Sequence, residues 1–456
     1  MKFLFADDWS VYNGQTSDLR QKMTEIVEGI KDNEEFQGLV FMSRFRDPAD
    51  VRSIPLATTL DAFLDKAVTC ELHFEHVEFR DPFMIAYSSG TTGIPKCIVH
   101  SVGGALISSA KEGVLHAETS SESVVLQYTT TGWIMYFASV MNLFAGARVI
   151  LYDGSPFQPD SKAFLRLIED QKVTKLGTSP RWMAELQKNG IVPREVTNLS
   201  NLKSVTCTGM VLSDQQFEWF YDVAFPPNVH LANISGGTDI AACFGINNPL
   251  TPVYVGGTQG PSLGIPVAVY DSLIEGGRGV KGNAVPNGTP GELVAYGAFP
   301  SMPPFFWNDI PSRGKGSKYF SAYFEKYDNV WTHGDFVMLH PVTGQLIFLG
   351  RADGVLNPSG IRFGSAEIYS LLDWRFGDRI SDSICVGQRR PKDDDERVML
   401  FLLMRPGNKL SQSLVHEIKT AIRQELSPRH VPKFIFETPE IPVSFVIRCT
   451  IFSSNL

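Results

Sequence analysis

Residues 87–96 read YSSGTTGIPK. Gly90 and Gly93 permit backbone angles that other residues avoid, so successive N–H groups can turn toward one point. Ser88, Ser89, Thr91 and Thr92 add four hydroxyls, and Lys96 adds a positive charge. Such a loop has the chemistry to wrap a polyphosphate. It is not a Walker A loop, because the glycine spacing before the lysine differs. A polar turn between two elements is the plainer account, but a turn does not require this whole string.

A phosphate loop needs a rigid base. PFMIAY (82–87) reads as a buried strand, and the stretch from His100 to about Leu115 reads as a helix, so the loop should run from strand to helix. Beyond it, strands and helices alternate. ARVILYD (147–153), KVTKLGT (172–178) and LKSVTCTG (202–209) read as strands. SKAFLRLIEDQ (161–171) and PRWMAELQK (180–188) read as helices, and DQQFEWFYDVA (214–224) follows a capping-box pair, Ser213 and Gln216. The alternation predicts a largely parallel sheet with crossover helices. From about residue 249 to 311, frequent glycine and proline with short strands predict a β-rich subdomain. After Gly350, helix AEIYSLLDWRF, strand DSICVG, charged turn RRPKDDDER, strand VMLFLLM, helix SLVHEIKTAIRQEL and strand PKFIFE predict a small α+β domain. The expected fold class is thus α/β: a large N-terminal domain (1–350) of layered sheets plus a β-rich subdomain, and a small C-terminal domain (351–456).

Composition narrows the function. The 456 residues are 43% apolar and 20% charged, ordinary for a globular protein of two or three domains. No run approaches the roughly 20 apolar residues that span a bilayer, and MKFLFADDW is too short and acidic for a signal peptide. The expectation is a cytosolic protein without a membrane partner. With 41 basic against 49 acidic residues, the net charge of −8 argues against a nucleic-acid partner. Six dispersed cysteines without a C-x-x-C pair read as buried reduced thiols.

YSSGTTGIPK resembles the phosphate loop of the adenylate-forming ligases, the acyl-CoA synthetases and luciferases. Three further strings agree in order. SGGTD (235–239) resembles the family's motif ending in Thr-Glu/Asp, THGDFVML (332–339) its ribose-binding Gly-Asp motif, and LGRADGVLNPSGIRFGSAEIY (349–369) its hinge segment. SGGTDI, FWND, GSKY, RFGSAEIY and ARVILYDGSP are most like the members that act on acetoacetate. The similarity runs from about Ser10 to Pro442.

That resemblance implies an α/β ligase that spends ATP, with Mg²⁺, to activate acetoacetate as an acyl-adenylate, then passes the acyl group to CoA. It implies that Ser88, Ser89, Gly90, Thr91, Thr92, Gly93 and Lys96 hold the ATP phosphates. Thr238 would contact the α-phosphate, and Asp239, where many relatives have Glu, would help place Mg²⁺. Asp335 would bind the ribose hydroxyls and Arg351 the ribose or phosphate. Arg362 would meet the α-phosphate or acyl carboxylate. By the same resemblance Gly209 would join the nucleotide-binding set, and Asp353 would be the hinge about which the small domain rotates. Acetate-specific relatives have Trp where this register has Gly236. The lost indole leaves room for a longer acid, although Gly236 also reads as a plain turn glycine. Trp133 reads equally as a wall of the same pocket or as core.

Family members end on a string like Ile-Pro-x-Thr-x-x-Gly-Lys, whose lysine serves the adenylation step. Here IPVSFVIR puts Ile447 and Arg448 at those places, and the last lysine is Lys433. The tail is atypical from 443, and residues 443–445 can be encoded by GTA-AGT-TTY, which reads like an intron donor. The resemblance also implies residues before the equivalent of Asp8. Two other readings stay open at this stage: a nucleotide-binding relative without catalysis, and a ligase for another short acid. Oligomeric state is not legible. GRGVKG (277–282) lacks a flanking strand and helix and reads as a loop. His73 and His76, in ELHFEHVEF, read as part of an edge strand, not as a metal pair.

Overall fold

The computed structural model describes residues 1–456 except 13, 46–49, 70, 89–94, 213, 273, 310–315, 353–354, 357, 359–362, 391–392, 394 and 442–456. The chain divides into two compact units.

The first unit comprises residues 1–76 with 152–167. Its parallel sheet has Gly38–Met42 at the centre, flanked by Phe3–Asp7 and Ala57–Thr59. The central strand, GLVFM, is the most apolar of the three and is buried except at its last residue. That is the pattern of a parallel strand covered on both faces. The helix Arg20–Ile30 brings Val27 onto Leu39, Phe41, Val51 and Ile54.

The second unit holds residues 77–151 and 168–456. Five parallel strands form one sheet, in the order His230–Asn233, Ser204–Cys207, Lys175–Thr178, Val124–Gln127, Arg148–Ile150. This is the crossover sheet expected from the alternation. The helix Pro180–Lys188 starts where its residues dictate. Ser179 caps it by accepting the Trp182 N–H, Pro180 opens the first turn, and Trp182, Met183 and Leu186 are buried.

The β-rich part follows as antiparallel strands. Val267–Tyr270, Gly291–Ala295, Trp331–Leu339 and Leu346–Arg351 form a four-stranded sheet. Its core includes Phe244, Leu293, Trp331, Val337 and Leu346, with Ile98 and Tyr323 packed into the same cluster. Toward the C-terminus, Ile380–Gln388, Arg397–Met404 and Phe434–Glu437 form a further sheet. The helices Ser365–Phe376 and Gln412–Glu425 contribute Ile368, Leu372, Ile418 and Ile422 to a core with Leu400 and Leu402. That core shares no residue with the preceding one. The charged stretch 389–396 joins two antiparallel strands, as expected of a hairpin turn.

Three local expectations are corrected. The phosphate-loop string joins two antiparallel strands, Pro82–Ser88 and Lys96–Ser101, instead of a strand and a helix. His100 therefore lies in a strand, and the helix begins at Val102. The first strand is not buried: Phe83 and Tyr87 are both exposed. Residues 71–78 alternate like a strand but form none, and among the described residues no strand pairs with them. Ser213, the expected cap, lies outside the described residues, and the Gln216 amide donates to the Pro180 carbonyl at 2.8 Å. Among the described residues, four cysteines are free, three of them buried, and no helix is long and apolar enough to cross a membrane.

Candidate active site

The SGGTD string begins as a short strand, Ser235–Gly237, paired antiparallel with Ala242–Ile246. The pairing slips between Ser235 and Gly236. A Cβ on Gly236 would stand 2.0 Å from the Ala242 carbonyl oxygen and 2.7 Å from the Cys243 Cα. Glycine here thus has a backbone reason, independent of the size of any acyl pocket. The chain then reverses, with the Ile240 and Ala241 N–H groups 3.2 and 3.0 Å from the Gly237 carbonyl. That turn presents Thr238 and Asp239.

The strand Lys96–Ser101 grips this turn at two points. Lys96, Ile98 and His100 share one face, because side chains alternate along a strand. Lys96 Nζ lies 3.1 Å from Asp239 Oδ1, with both side chains largely buried. His100 Nε2 lies 2.9 Å from the Thr238 carbonyl oxygen. Burial lowers the His100 pKa from 6.5 to about 4, against smaller opposing pulls from the Thr238 carbonyl and Asp239. The imidazole is therefore neutral near pH 7, and a carbonyl partner requires its proton on Nε2. Ile98, between them, is fully buried in the core and anchors the strand.

A second donor reaches Asp239 from the helix Lys318–Tyr323, whose last residue donates from its hydroxyl to Asp239 Oδ1. Lys96 Nζ also sits 5.0 Å above the Tyr323 ring. Tyr323 in turn stacks on Trp331, with centroids 3.7 Å apart and planes 13° apart.

Trp331, His333 and Asp335 follow one another on one face of the strand Trp331–Leu339. Asp335 is buried, and His333 Nε2 lies 3.6 Å from its Oδ2. A Cβ on Gly237 would be 3.4 Å from the His333 ring, so the SGGTD and THGD strings adjoin through this histidine. Arg351 is the register partner of Asp335 on the next strand, but its side chain lies outside what is described. Trp133 precedes the helix Ile134–Val140, and a Cβ on Gly209 would be 3.4 Å from its ring. Gly209 has φ +97°, a conformation that favours glycine. These two residues are thus brought together.

Ser88 is the register partner of Lys96 across the hairpin. Its hydroxyl is buried and finds no hydrogen-bond partner among the described residues. Ser89, Gly90, Thr91, Thr92, Gly93, Asp353 and Arg362 lie outside those residues, as do Ile447 and Arg448. Among the described residues, no three of His, Cys, Asp or Glu form a ready-made metal cage.

Three residues of this cluster escaped the sequence: His100, Tyr323 and His333. For His100 a signal existed, since a strand starting at Lys96 puts residue 100 on the same face. For Tyr323, 84 positions from Asp239, there was none.

Parallel and antiparallel layers describe an α/β protein, in which Lys96, Thr238 and Asp239 form a polar cluster that adjoins His333 and Asp335. Residues 20–302 match the family described as AMP-binding enzyme, and the chain belongs to that family. The acetoacetyl-CoA synthetase of Gallus gallus is 42% identical over 446 residues, which cover 97% of this chain and 64% of that protein. The malonamoyl-CoA synthetase of Penicillium aethiopicum is 39% identical, over 97% of this chain and 61% of its own. Among solved structures, the acetoacetyl-CoA synthetase from Streptomyces lividans is similar with a TM-score of 0.69 and 33% identity, over 96% of this chain and 63% of that one. The chain spans less than two thirds of the length of each of these relatives.

Proposed function

We propose that this chain carries the adenylation site of an ATP-dependent acid–thiol ligase that activates acetoacetate and transfers it to CoA. The observation that supports this most is the contact between Lys96, at the end of the phosphate-loop string, and Asp239, at the end of SGGTD. A lysine and a carboxylate that neutralise each other at rest can exchange partners when a phosphate and a cation arrive together.

In this proposal Lys96, Ser88 and the hydroxyls of Ser89, Thr91 and Thr92 bind the ATP phosphates. The Ser88 hydroxyl suits this, as a buried donor with no described protein partner. Thr238 meets the α-phosphate, Asp335 the ribose, and Arg351 and Arg362 the remaining negative charge. Asp239 fits a magnesium ion, since a hard cation shared with substrate phosphates needs one or two carboxylates and no full protein cage. Bound there, magnesium would neutralise phosphate charge. The chain's own work is positioning: the acid carboxylate must lie in line with the α-phosphorus, and donors must face the charge that develops. The acyl-adenylate would then meet the CoA thiol. A small domain, 351–456, turning about Asp353 would let one site serve both steps.

The acid is a short one with a second carbonyl on its β carbon. The Penicillium relative favours stating the class this way. Acetoacetate and malonamate differ only by methyl against amide nitrogen, groups of similar size. Trp133 beside Gly209 is the wall we assign to this pocket. ATP–pyrophosphate exchange tests the proposal. Exchange should depend on acetoacetate and exceed that with acetate. ATP binding by calorimetry without acid-dependent exchange would instead favour a nucleotide-binding relative.

A further inference from the structure

Among the described residues, Lys96 and Tyr323 donate to Asp239 from elements far apart in sequence, and of these two Lys96 is the one suited to a phosphate. Lys96 carries its charge on a four-carbon stem with rotatable bonds, on the flank of the YSSGTTGIPK string. Tyr323 is the opposite kind of donor. The residue is 2% exposed, its ring lies flat on Trp331, and Tyr319 and Phe306 meet it edge-on at 5.5 and 5.6 Å. A ring held on three sides leaves the phenol little freedom beyond rotation of its O–H. Both donors converge on Oδ1 of the same carboxylate.

We propose that Tyr323 is a positioning residue that holds the Asp239 carboxylate for a divalent cation while Lys96 moves from the carboxylate to a nucleotide phosphate. This rests on the assignment of Asp239 to the cation. When Lys96 leaves, the largely buried carboxylate loses a charged donor, and such a group is costly to leave undersatisfied. The Tyr323 hydroxyl stays, because the ring cannot follow a phosphate. It keeps the carboxylate aimed, as outer partners do for metal-ligating groups generally. Trp331 thereby acquires a role as well: it sits on the strand that carries Asp335 and backs the ring that fixes Asp239.

Tyr323→Phe tests this in the full chain, because it removes the hydroxyl and keeps the stack. The readout is Mn²⁺ affinity at saturating ATP, by the electron paramagnetic resonance of free Mn²⁺. We expect about a 10- to 100-fold loss of Mn²⁺ affinity, with ATP binding in EDTA unchanged within about twofold. Because Asp239 is the residue held, Tyr323→Phe should add nothing in an Asp239→Asn background. Wild-type Mn²⁺ affinity in Tyr323→Phe overturns the proposal. So does an equal loss in both backgrounds, which marks a general packing role. If Asp239→Asn itself binds Mn²⁺–ATP like wild type, the cation assignment has failed, and that outcome is separately visible. A Tyr323→Phe chain with a lowered urea midpoint and normal Mn²⁺ affinity would make the hydroxyl structural only.

Discussion

Replacing His100 by glutamine should flatten the acid side of the stability curve. In the folded chain burial keeps the imidazole neutral down to about pH 4, against 6.5 ordinarily. The unfolded chain therefore takes up this proton first as pH falls. The stability that comes from keeping His100 neutral is complete above about 6.5 and is lost progressively toward about 4. From those two values the loss is about 2 kcal/mol by pH 5 and about 3 kcal/mol by pH 4. A glutamine amide can still donate to the Thr238 carbonyl but does not titrate. The assay is urea unfolding of both proteins at pH 8, 6.5 and 5. Glu112, raised by burial, and His116, lowered by burial, also contribute to the slope. Both occur in each protein and cancel in the difference. The wild type should lose about 2 kcal/mol more than the variant between pH 8 and 5. Parallel slopes, within about 0.5 kcal/mol, would refute the claim that His100 is buried neutral.

Gly236→Ala should destabilise by about 1–3 kcal/mol, because its Cβ meets backbone on the paired strand. Gly132→Ala, with nothing within 4 Å of its Cβ, should be neutral; equal urea midpoints for the two variants would contradict the close approach. Ile447→Gly with Arg448→Lys restores the family-like tail, and acetoacetate-dependent exchange should then rise about 100-fold. An unchanged rate would mean the site does not draw on that lysine.

Much of the layering was legible because its signals are local. Lys175–Thr178 and Ser204–Cys207 are short runs set between amphipathic helices, too short to be helices themselves, and they pair in the parallel sheet. The string YSSGTTGIPK reads as running from strand to helix because a strand and a helix abut beyond it without a breaker. Lys96–Ser101 runs straight into Val102–Ala110. The cue was Ser101, whose hydroxyl accepts the Gly104 N–H at 3.2 Å and so marks the helix start. Residues 71–78 carry a strand's alternation, but a strand exists only with a partner, and partners are not local information. The same limit applies within the site. Lys96, Thr238, Asp239 and Asp335 could be named from strings, whereas the bonds of His100 to Thr238 and Tyr323 to Asp239 join residues 138 and 84 positions apart. Gly236 reads as room for an acid, and the structure adds a backbone reason for glycine there.

Hydrogen exchange with and without magnesium and ATP addresses the central claim, that the hairpin loop and the SGGTD turn together hold a nucleotide. Amides of residues 88–96 and 235–241 should exchange more slowly with nucleotide bound, as should those around Asp335, while the first unit's Phe3–Asp7 strand stays unchanged. Identical exchange of the first two segments, at an ATP concentration that saturates binding by calorimetry, would put the nucleotide elsewhere.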